Sequence, residues 1–478
     1  MTVSVKSVDN LVNGRWVQGD GEREVLHKFT GETLAILQEA DRQIVVDAVT
    51  AAHDAFEAGI LPPPKRFEIL SRVAQMIADN KDSLAQEMVK ESGFTLKDCL
   101  TEVRRAVQTL LTSAEEAKRI AGEMVPVEGA PGFEDRLAFT MRVPVGVVCA
   151  ITPFNSPLNT VAHKVGPALA AGNAVVLKPA TYTPLTAIRL CQMLLEAGLP
   201  PGFINLVLGP GDPVGEALVE DARIAFYTFT GSTAVGKRIA AGLGLRRANM
   251  ECGSISDTIV CQDANLERAA EQVCHASFRK AGQVCTSVQR LYVHSEVLDE
   301  FLAGLRSAVD RLSVGDPADP TTDVGPMISE AEAQRAEEWV AEAVQGGASI
   351  VTGGTRSGAV FSPTVLADVP PSARAVCEEI FAPVVSVIPY TDLGEVIGWT
   401  NDTLYGLQAG IFTRDLDRAL RVARALRVGG VIINGSSSTR ADLMPYGGVK
   451  DSGYGKEGPR YSIREMTEER LVMMMPDE

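Results

Sequence analysis

The spacing of apolar residues changes along this chain of 478 residues. Between about Gln43 and Ala121 apolar positions recur at helical spacing, as in "RFEILSRVAQMIA", which predicts a series of packing helices. From residue 143 onward, short and nearly continuous apolar runs such as "VPVGVVCAIT" alternate with helical stretches. Continuous runs are typical of strands covered on both faces, and strand–helix alternation at this short period predicts a parallel α/β sheet.

The first α/β region contains five predicted strands before residue 252. They are "VPVGVVCAIT", "NAVVLKP", "GFINLVLG", "RIAFYTFT" and "RRANMECG". In such sheets ligands bind at the carboxyl ends of the strands. The turns "TPFNSP", "KPAT", "FTGST" and "ECGS" follow these ends, so they form a first candidate for a functional site.

A second alternation begins after Asp257. "DTIVCQ" predicts a strand, and a helix is predicted from an N-cap at Asn265 to an end at Gly282. "SVQRLYVH" predicts a further strand, followed by helices near 296–312 and 329–345. These segments predict a second α/β domain. Near the amino terminus, "LVNGRWVQGDG" predicts a hairpin with an Asn-Gly turn.

Composition and charge exclude several classes of partner. The net charge of −16 argues against nucleic acid, because no basic stripe is present to neutralise phosphates. No stretch reaches the roughly 18 apolar residues of a membrane helix, and the amino terminus lacks an apolar secretory segment. Eight scattered cysteines fit a reducing, cytoplasmic environment. The five histidines are dispersed, so no metal site is predicted.

Cys285 lies in the segment "FRKAGQVCTSVQRLYVH", where a short polar loop joins the predicted helix to a strand. A free cysteine is most often a small, buried and inert hydrophobe, and the residues alone leave that interpretation open. A thiol held in such a loop is also a candidate nucleophile. A neighbouring group must then take its proton, since the ordinary pKa of a thiol is about 8.5.

Eight motifs occur along the chain in a fixed order. They are "TPFNSPL", "VVLKPA", "FTGSTAVGK", "MECGS", "GQVCTS", "EEIFAPV", "NDTLYGLQAGIFTRD" and "MPYGGVKDSGYGKEG". In order and spacing they resemble the aldehyde dehydrogenase superfamily over nearly the whole chain. The resemblance implies NAD(P)-dependent oxidation of an aldehyde to the carboxylic acid through a cysteine thiohemiacetal and thioester.

The resemblance also implies an α/β fold with three parts. We expect residues 1–122 and 143–251 to form a Rossmann-like, parallel-sheet dinucleotide-binding domain and residues 252–450 a second, catalytic α/β domain. Residues 123–142 and 460–478 are expected to form a small β oligomerisation arm. An exposed apolar strand needs a cover, which a partner subunit supplies in a homodimer or homotetramer.

Three residues resemble the catalytic set of the family. The resemblance makes Cys285 the nucleophile, and it makes Asn155 and the backbone N–H of Cys285 the oxyanion hole. It makes Glu251 the base that activates water to hydrolyse the thioester, with a pKa raised by partial burial. The residues alone also fit an Asx turn at Asn155, before Pro157, and a salt-bridged carboxylate at Glu251.

Eight positions resemble the cofactor site of the family, which binds NADP or NAD. They are Thr152, Phe154, Lys178, Thr181, Gly231, Ser232, Glu379 and Phe381. Gly231 and Ser232 precede a helix start suited to pyrophosphate, although the G-x-G-x-x-G fingerprint is absent. Lys178 resembles the residue that reaches the adenosine ribose, and Glu379 and Phe381 resemble the neighbours of the nicotinamide ribose and ring. Without the resemblance these residues fit an ordinary turn, a solvated strand-end lysine, and a helix-end acid beside a core aromatic.

The residue at position 181 bears on the choice between the two cofactors. NAD-specific members of the family usually carry a glutamate there, and this chain has Thr181. A carboxylate repels a 2′-phosphate and threonine does not, so we expect NADP to be accepted.

The positions that line the substrate tunnel in family members for apolar aldehydes are polar here. They are His163, Arg279, Arg440 and Tyr446, with Ser156 and Thr160, and with Arg104 and Arg105 on a bordering helix. Arginine binds carboxylate or phosphate bidentately, so we expect a small polar aldehyde that carries an anionic group or several hydroxyls. The alternatives are that the arginines pair with surface acids and that His163 is a hydrogen-bonded helix residue.

Two other functions remain open at this point. Relatives that transfer the acyl group to coenzyme A generally lack the base glutamate, so Glu251 favours release of a free acid. A catalytically silent binding or structural protein is expected to lose the nucleophile or the base, and this chain carries both.

Overall fold

The structure is a computed structural model that describes residues 6–475. The outermost parts of the expected ranges 1–122 and 460–478, namely residues 1–5 and 476–478, lie outside the described residues. Two large sheets carry most of the strands, and helices pack against both. Two three-stranded sheets and a two-stranded one complete the described fold, which is the mixed α/β fold that the sequence predicts.

The amino-terminal part supplies short strands and long helices. These are β1 (Lys6–Val8), β2 (Asn10–Val12), β3 (Arg15–Val17), β4 (Gly21–Leu26), β5 (Thr33–Glu39), α1 (Arg42–Ala58), α2 (Pro63–Asp79), α3 (Lys81–Ser92) and α4 (Leu96–Ala117). Asn13 and Gly14, between β2 and β3, have φ values of 50° and 74°. An Asn-Gly hairpin turn needs this left-handed pair, so the predicted hairpin is confirmed.

The next part of the chain contains the strands of the first large sheet and their helices. These are β6 (Met124–Val125), β7 (Leu137–Pro144), β8 (Val147–Ile151), α5 (Asn159–Ala171), β9 (Ala174–Lys178), α6 (Leu185–Glu196), β10 (Ile204–Leu206), α7 (Glu216–Glu220), β11 (Ile224–Thr230), α8 (Thr233–Gly242) and β12 (Arg247–Glu251). Strands β12, β11, β8, β9 and β10 run parallel in that order, and β2 and β3 extend the sheet antiparallel beyond β10. Every residue of β8 and β9 is buried, as the continuous apolar runs predict.

Helix α5 lies between the first sheet and helix α4. It is buried on all sides, and Lys164 is among its buried residues. Because α5 begins directly after the turn "TPFNSP", its packing fixes the position of that turn at the end of β8.

The second large sheet follows in the chain. Its elements and neighbours are β13 (Asp257–Val260), α9 (Leu266–Phe278), β14 (Arg290–His294), α10 (Leu298–Asp310), α11 (Glu330–Gln345), β15 (Ser349–Thr352), β16 (Arg356–Ser357), β17 (Val360–Phe361), β18 (Thr364–Ala367), α12 (Arg374–Cys377), β19 (Val384–Tyr390), α13 (Leu393–Asn401), β20 (Gln408–Phe412), α14 (Leu416–Ala425) and β21 (Gly430–Ile433). The strand order is β15-β18-β19-β14-β13-β20-β21, parallel except for β15. The predicted second α/β region, with helices near 296–312 and 329–345, is confirmed.

Helix α9 differs from the prediction at its end. It begins as expected, with the Asn265 side chain accepting a hydrogen bond from the Arg268 N–H. It stops at Phe278, because Lys280, Ala281 and Gly282 have φ values of 52°, 51° and 69°. A right-handed helix cannot continue through left-handed residues, so the predicted end at Gly282 is wrong.

The carboxyl-terminal strands pair with strands from the first half of the chain. The carboxyl-terminal part contains β22 (Gly453–Tyr454), α15 (Pro459–Glu465) and β23 (Thr467–Met474). Strand β22 pairs with β12 at the edge of the first sheet, and β23 pairs with β7 along its whole length. With β6 on the other side of β7, these strands form a separate sheet, β23-β7-β6.

Within residues 6–475, no helix combines the length and the apolar character that a membrane-spanning helix requires.

Candidate active site

A cavity of about 600 Å³, called here the main cavity, lies at the carboxyl ends of strands of the first sheet. All three residues expected to be catalytic line it: Asn155, Glu251 and Cys285. Arg279, Arg440 and Tyr446 of the expected substrate set line it too, as do Ser156, Thr160 and Arg105. The fold therefore brings into one cavity residues as distant in the chain as Arg105 and Tyr446.

A second cavity, of about 420 Å³, adjoins the main cavity and is called here the groove. Six of the eight residues expected at the cofactor site line it: Thr152, Phe154, Gly231, Ser232, Glu379 and Phe381. Asn155 and Cys285 line both cavities. The Cys285 thiol lies where the two cavities meet. It can therefore reach a carbon atom of a molecule in the main cavity while a second molecule occupies the groove.

The loop that carries Cys285 is fixed by its backbone. A side chain at Gly282 would place a Cβ 2.0 Å from the carbonyl oxygen of Ala382, so only glycine fits this close approach. The Gln283 carbonyl accepts a hydrogen bond of 2.9 Å from the Asn155 side-chain amide. In the described part of the chain, the backbone N–H of Cys285 has no acceptor and is free to bind an oxyanion.

A buried lysine joins this loop to the turn after β8. The Lys280 ammonium donates to the Asn155 carbonyl at 2.8 Å and also pairs with the Glu102 carboxylate on α4. Glu102 in turn accepts hydrogen bonds from the Leu158 and Asn159 N–H groups at the start of α5. These contacts hold the nucleophile candidate and the amide candidate for the oxyanion hole in one rigid arrangement. Sequence reasoning did not identify Lys280 and Glu102.

Glu251 ends β12 inside the main cavity. Both of its carboxylate oxygens are buried without a hydrogen-bond partner among the described residues. A Cβ at Gly447 would lie 2.8 Å from one of them, so the glycine leaves room for the carboxylate. Burial and the nearby negative charge of Glu457 raise the pKa of Glu251 well above its ordinary value. A carboxyl group of this kind suits a general base that works near neutral pH.

Behind Glu251 lies a chain of buried charges. Lys164 pairs with Glu457 at 2.8 Å, and Glu457 pairs with Arg440 at 3.1 Å. Burial alone would raise the pKa of Glu457, but Lys164 and Arg440 bring it down to about 2. The sequence carried a signal for this network, because Lys164 sits in an otherwise apolar helical run and Glu457 stands between residues of a glycine-rich loop.

The arginines that line the main cavity differ in their partners. Arg105 forms two hydrogen bonds, of 3.1 and 2.8 Å, with the Asp442 carboxylate. Arg440 pairs with Glu457. Arg279 donates to the Ser438 hydroxyl at 2.7 Å and, among the described residues, has no carboxylate within ion-pair distance. Burial lowers the pKa of Arg279, and an arginine nevertheless keeps its charge.

Two residues of the expected substrate region do not reach the main cavity. His163 is buried behind its wall, where its Nε2 lies 2.9 Å from an Asp442 oxygen and 3.3 Å from the Thr109 hydroxyl. Arg104 is exposed and donates to the Thr101 hydroxyl. The position of His163 matches the alternative of a hydrogen-bonded helix histidine.

The groove offers polar groups to a nucleotide. Helix α8 begins at its wall, with the Ser232 hydroxyl capping the helix at the Val235 N–H. Glu379 accepts a hydrogen bond of 2.8 Å from the Ser254 N–H, and burial raises the pKa of Glu379 to about 7. The Phe381 ring packs edge-on against Phe154 with ring centres 5.8 Å apart.

Lys178 is the last residue of β9 and Thr181 follows the strand, next to the groove residues Ala180 and Tyr182. Lys178 is buried, and burial lowers its pKa to about 8. The Thr181 hydroxyl donates to the Gly209 carbonyl at 3.0 Å. A helix start and a partly buried carboxylate at the groove, with a buried ammonium close by in the chain, fit a dinucleotide, since they suit pyrophosphate and ribose hydroxyls.

The comparison with protein families agrees with this geometry. The family model described as "Aldehyde dehydrogenase family" matches residues 16–472. Among curated proteins, the chain is 48% identical over 470 residues to the 3-sulfolactaldehyde dehydrogenase of Priestia aryabhattai, and the match covers 98% of each chain.

Solved structures with the same fold include two with informative ligands. Aldehyde dehydrogenase 21 from Physcomitrella patens, in complex with the reaction product succinate, has a TM-score of 0.96 and 38% identity, with 99% of each chain covered. NADP-dependent glyceraldehyde-3-phosphate dehydrogenase from Bacillus halodurans, complexed with NADP, has a TM-score of 0.96 and 35% identity, covering 98% of this chain and 99% of that one. The present chain therefore belongs to the aldehyde dehydrogenase family and is an oxidoreductase that acts on aldehydes.

Proposed function

We propose that the protein uses NADP or NAD to oxidise a small aldehyde that carries an anionic group, and that it releases the free carboxylic acid. The observation that carries the proposal is the position of Cys285 between two cavities. One cavity contains Arg279, a cation that has no carboxylate within ion-pair distance among the described residues, and the other contains the groups suited to a dinucleotide.

The first step is attack by the Cys285 thiolate on the carbonyl carbon, which forms a thiohemiacetal. The carbonyl oxygen becomes negatively charged at this point. The donors available to it are the backbone N–H of Cys285 and the Asn155 amide, which a hydrogen bond to the Gln283 carbonyl holds against the Cys285 loop. Losing one such donor typically costs about 10²–10³ in rate.

The groove residues bind and orient the dinucleotide. Gly231 and Ser232 at the start of α8 would hold the pyrophosphate, Lys178 the adenosine ribose, and Glu379 the nicotinamide ribose. Thr181 brings no negative charge to the adenosine ribose, so a 2′-phosphate is tolerated. When bound, the nicotinamide accepts the hydride that leaves the thiohemiacetal carbon.

Glu251 completes the reaction. The Cys285 thioester that remains after hydride loss must be hydrolysed. The buried Glu251 carboxylate, which has no competing hydrogen-bond partner within residues 6–475, is available to take a proton from water. Attack of that water breaks the bond between sulfur and carbon, releases the acid and returns the thiolate. A coenzyme A acceptor is not needed for this route.

Arg279 selects the substrate. The charges of Arg440 and Arg105 are engaged by Glu457 and Asp442, whereas Arg279 retains guanidinium donors for a ligand. The similar proteins support an anionic ligand, since sulfolactaldehyde carries a sulfonate, glyceraldehyde 3-phosphate a phosphate and succinate a second carboxylate. We propose that the anionic group of the substrate binds at Arg279, with its aldehyde carbon at Cys285.

The test compares matched aldehydes with both cofactors. Each anionic aldehyde is paired with a neutral analogue: 3-sulfolactaldehyde with lactaldehyde, and succinate semialdehyde with butanal. Formation of the reduced nicotinamide is followed by absorbance. We expect kcat/KM to be at least roughly tenfold higher for the anionic member of a pair, because a charge-assisted pair is worth more than a neutral contact.

The variant Arg279→Met tests the residue itself. Methionine keeps an unbranched apolar stem and removes the charge, so kcat/KM for anionic aldehydes is expected to fall roughly 100-fold while that for neutral aldehydes stays within a few-fold. Arg104→Met, an exposed neighbour outside the cavity, is the matched control. Equal losses on both kinds of aldehyde would contradict the assignment of Arg279.

A further inference from the structure

One contact at Cys285 has no place in the reaction proposed above. The Tyr446 hydroxyl oxygen lies 2.8 Å from the sulfur of Cys285, and in the described part of the chain the sulfur is the one hydrogen-bond partner of this hydroxyl. Tyr446 is only 4% exposed. Burial raises the pKa of Tyr446 well above its ordinary value, so the phenol keeps its proton and is able to donate it in a hydrogen bond.

A fixed cation lies against the same ring. The Arg440 guanidinium carbon is 3.7 Å from the centre of the Tyr446 ring. Glu457 holds Arg440 in place, and Lys164 holds Glu457. A cation over an aromatic face is attracted by its electron density, and the same interaction draws density away from the hydroxyl. The hydroxyl therefore becomes a stronger donor.

We propose that Tyr446 is a positioning residue that donates a hydrogen bond to the Cys285 thiolate, and that Arg440 strengthens this bond through its contact with the ring. The proposal rests on the proposed role of Cys285 as nucleophile. Tyr446 itself neither gains nor loses a proton. Its hydrogen bond stabilises the sulfur as an anion before attack and directs it from one side.

The other charged groups around the sulfur act in opposite directions. Arg440 and Arg279 favour the thiolate, while Glu251 and Glu379 disfavour it. Burial raises the pKa of the Cys285 thiol, and the hydrogen bond from Tyr446 opposes that rise. The hydrogen bond from Tyr446 therefore offsets part of the cost of burying the thiolate.

The test measures the thiol directly in the free enzyme. The rate of alkylation of Cys285 by iodoacetamide is followed against pH, in a Cys377→Ser background because Cys377 is the exposed thiol of the eight. Tyr446→Phe keeps the ring and removes the hydroxyl alone. We expect the apparent pKa of the thiol to rise by about one unit and alkylation near neutral pH to slow roughly tenfold, since a hydrogen bond to a charged group is worth about this much.

Further variants sharpen the result. Arg440→Met removes a cation that also favours the thiolate directly, so it is compared with the double variant Tyr446→Phe with Arg440→Met. If Arg440 acts through the Tyr446 hydrogen bond, the shift in the double variant is smaller than the sum of the two single shifts, and additive shifts would contradict that part of the proposal. Tyr454→Phe is the matched control, because Tyr454 is 48% exposed and lies outside both cavities, and its profile should match that of the parent. In turnover assays Tyr446→Phe should lower kcat and leave KM for the aldehyde nearly unchanged.

An alkylation profile of Tyr446→Phe that superimposes on the parent profile overturns the proposal. A lower kcat with such an unchanged profile would assign Tyr446 to the substrate instead. Because alkylation needs neither aldehyde nor cofactor, this result is independent of the proposed substrate. Failure of the proposed function is seen separately, as turnover that survives in Cys285→Ser.

Discussion

At the scale of single residues, Glu251 is the group whose surroundings make the sharpest kinetic prediction. Glu251→Gln keeps the shape of the side chain and removes its ability to take a proton. Acylation and the first release of reduced cofactor should persist as a burst, while steady-state turnover should fall by about 10²–10⁴, the usual contribution of a general base. Rapid-mixing absorbance measures the burst, and intact mass of the trapped thioester identifies the intermediate.

The direction of the pH dependence follows from the same surroundings. Burial raises the pKa of Glu251, so its protonated form persists to a higher pH than that of an ordinary carboxyl group. Hydrolysis requires the carboxylate, and steady-state turnover should therefore fall as the pH is lowered through the raised pKa. Glu251→Gln should lack this limb of the profile. Unchanged steady-state turnover in Glu251→Gln would rule out its role as the base.

The residues in and around the candidate active site differ in how well the sequence alone predicts them. Cys285, Glu251 and Asn155 stand in short motifs, and the fold places them together as the resemblance implied. Lys280 and Glu102 carry no such signal, because their importance comes from a meeting of two distant segments inside the core. The resemblance to the family predicted that His163 lines the substrate cavity. In the structure its side chain instead faces Asp442.

At the scale of elements, the buried ion pair between Lys280 and Glu102 joins α4 to the loop before β14. Removing one of its charges should lower the stability of the protein. Lys280→Met leaves Glu102 as a buried carboxylate without its cation, which typically costs about 3–5 kcal/mol of stability. The double variant Glu102→Gln with Lys280→Met removes both charges and should recover part of that loss. Urea denaturation followed by tryptophan fluorescence measures both.

The same pair should influence catalysis separately from stability. In the double variant the Asn155 carbonyl loses its 2.8 Å hydrogen bond from Lys280, so the turn that carries the amide is less well fixed. We expect kcat to stay below that of the parent even where stability has recovered. A double variant with recovered stability and parental kcat would contradict the idea that Lys280 positions the Asn155 turn.

Helices and strands were predictable from the sequence wherever apolar residues form a continuous run or recur at helical spacing. The buried strands β8 and β9 and the helices α10 and α11 follow directly from apolar runs and helical spacing. The end of α9 was not predictable in this way, because Gly282 is a plausible helix terminator and only the left-handed backbone at Lys280 and Ala281 stops the helix earlier. That backbone is imposed by tertiary contacts of the loop, which local sequence does not encode.

At the scale of the whole molecule, the sheet β23-β7-β6 presents an apolar face. Met124, Leu137, Met141 and Met474 are all more than 40% exposed. Met124 pairs with Phe139 across β6 and β7, and Met474 pairs with Leu137 across β23 and β7, so alternation along the strands puts all four on one side of the sheet. We propose that this side is covered by a second copy of the chain, as expected for the arm.

The substitution Met141→Glu tests this assembly. A charge at the centre of the apolar face should not disturb the monomer, because Met141 is exposed in it, but it should oppose burial of the face between subunits. We expect the parent protein to have at least twice the mass of one chain by light scattering coupled to size-exclusion chromatography, and Met141→Glu to shift toward the mass of one chain. Leu245→Glu, at a fully exposed apolar residue elsewhere, should leave the mass unchanged. If Met141→Glu kept the parental mass, the contact between subunits would have to lie on another surface, and the exposed methionines of this sheet would need a different cover.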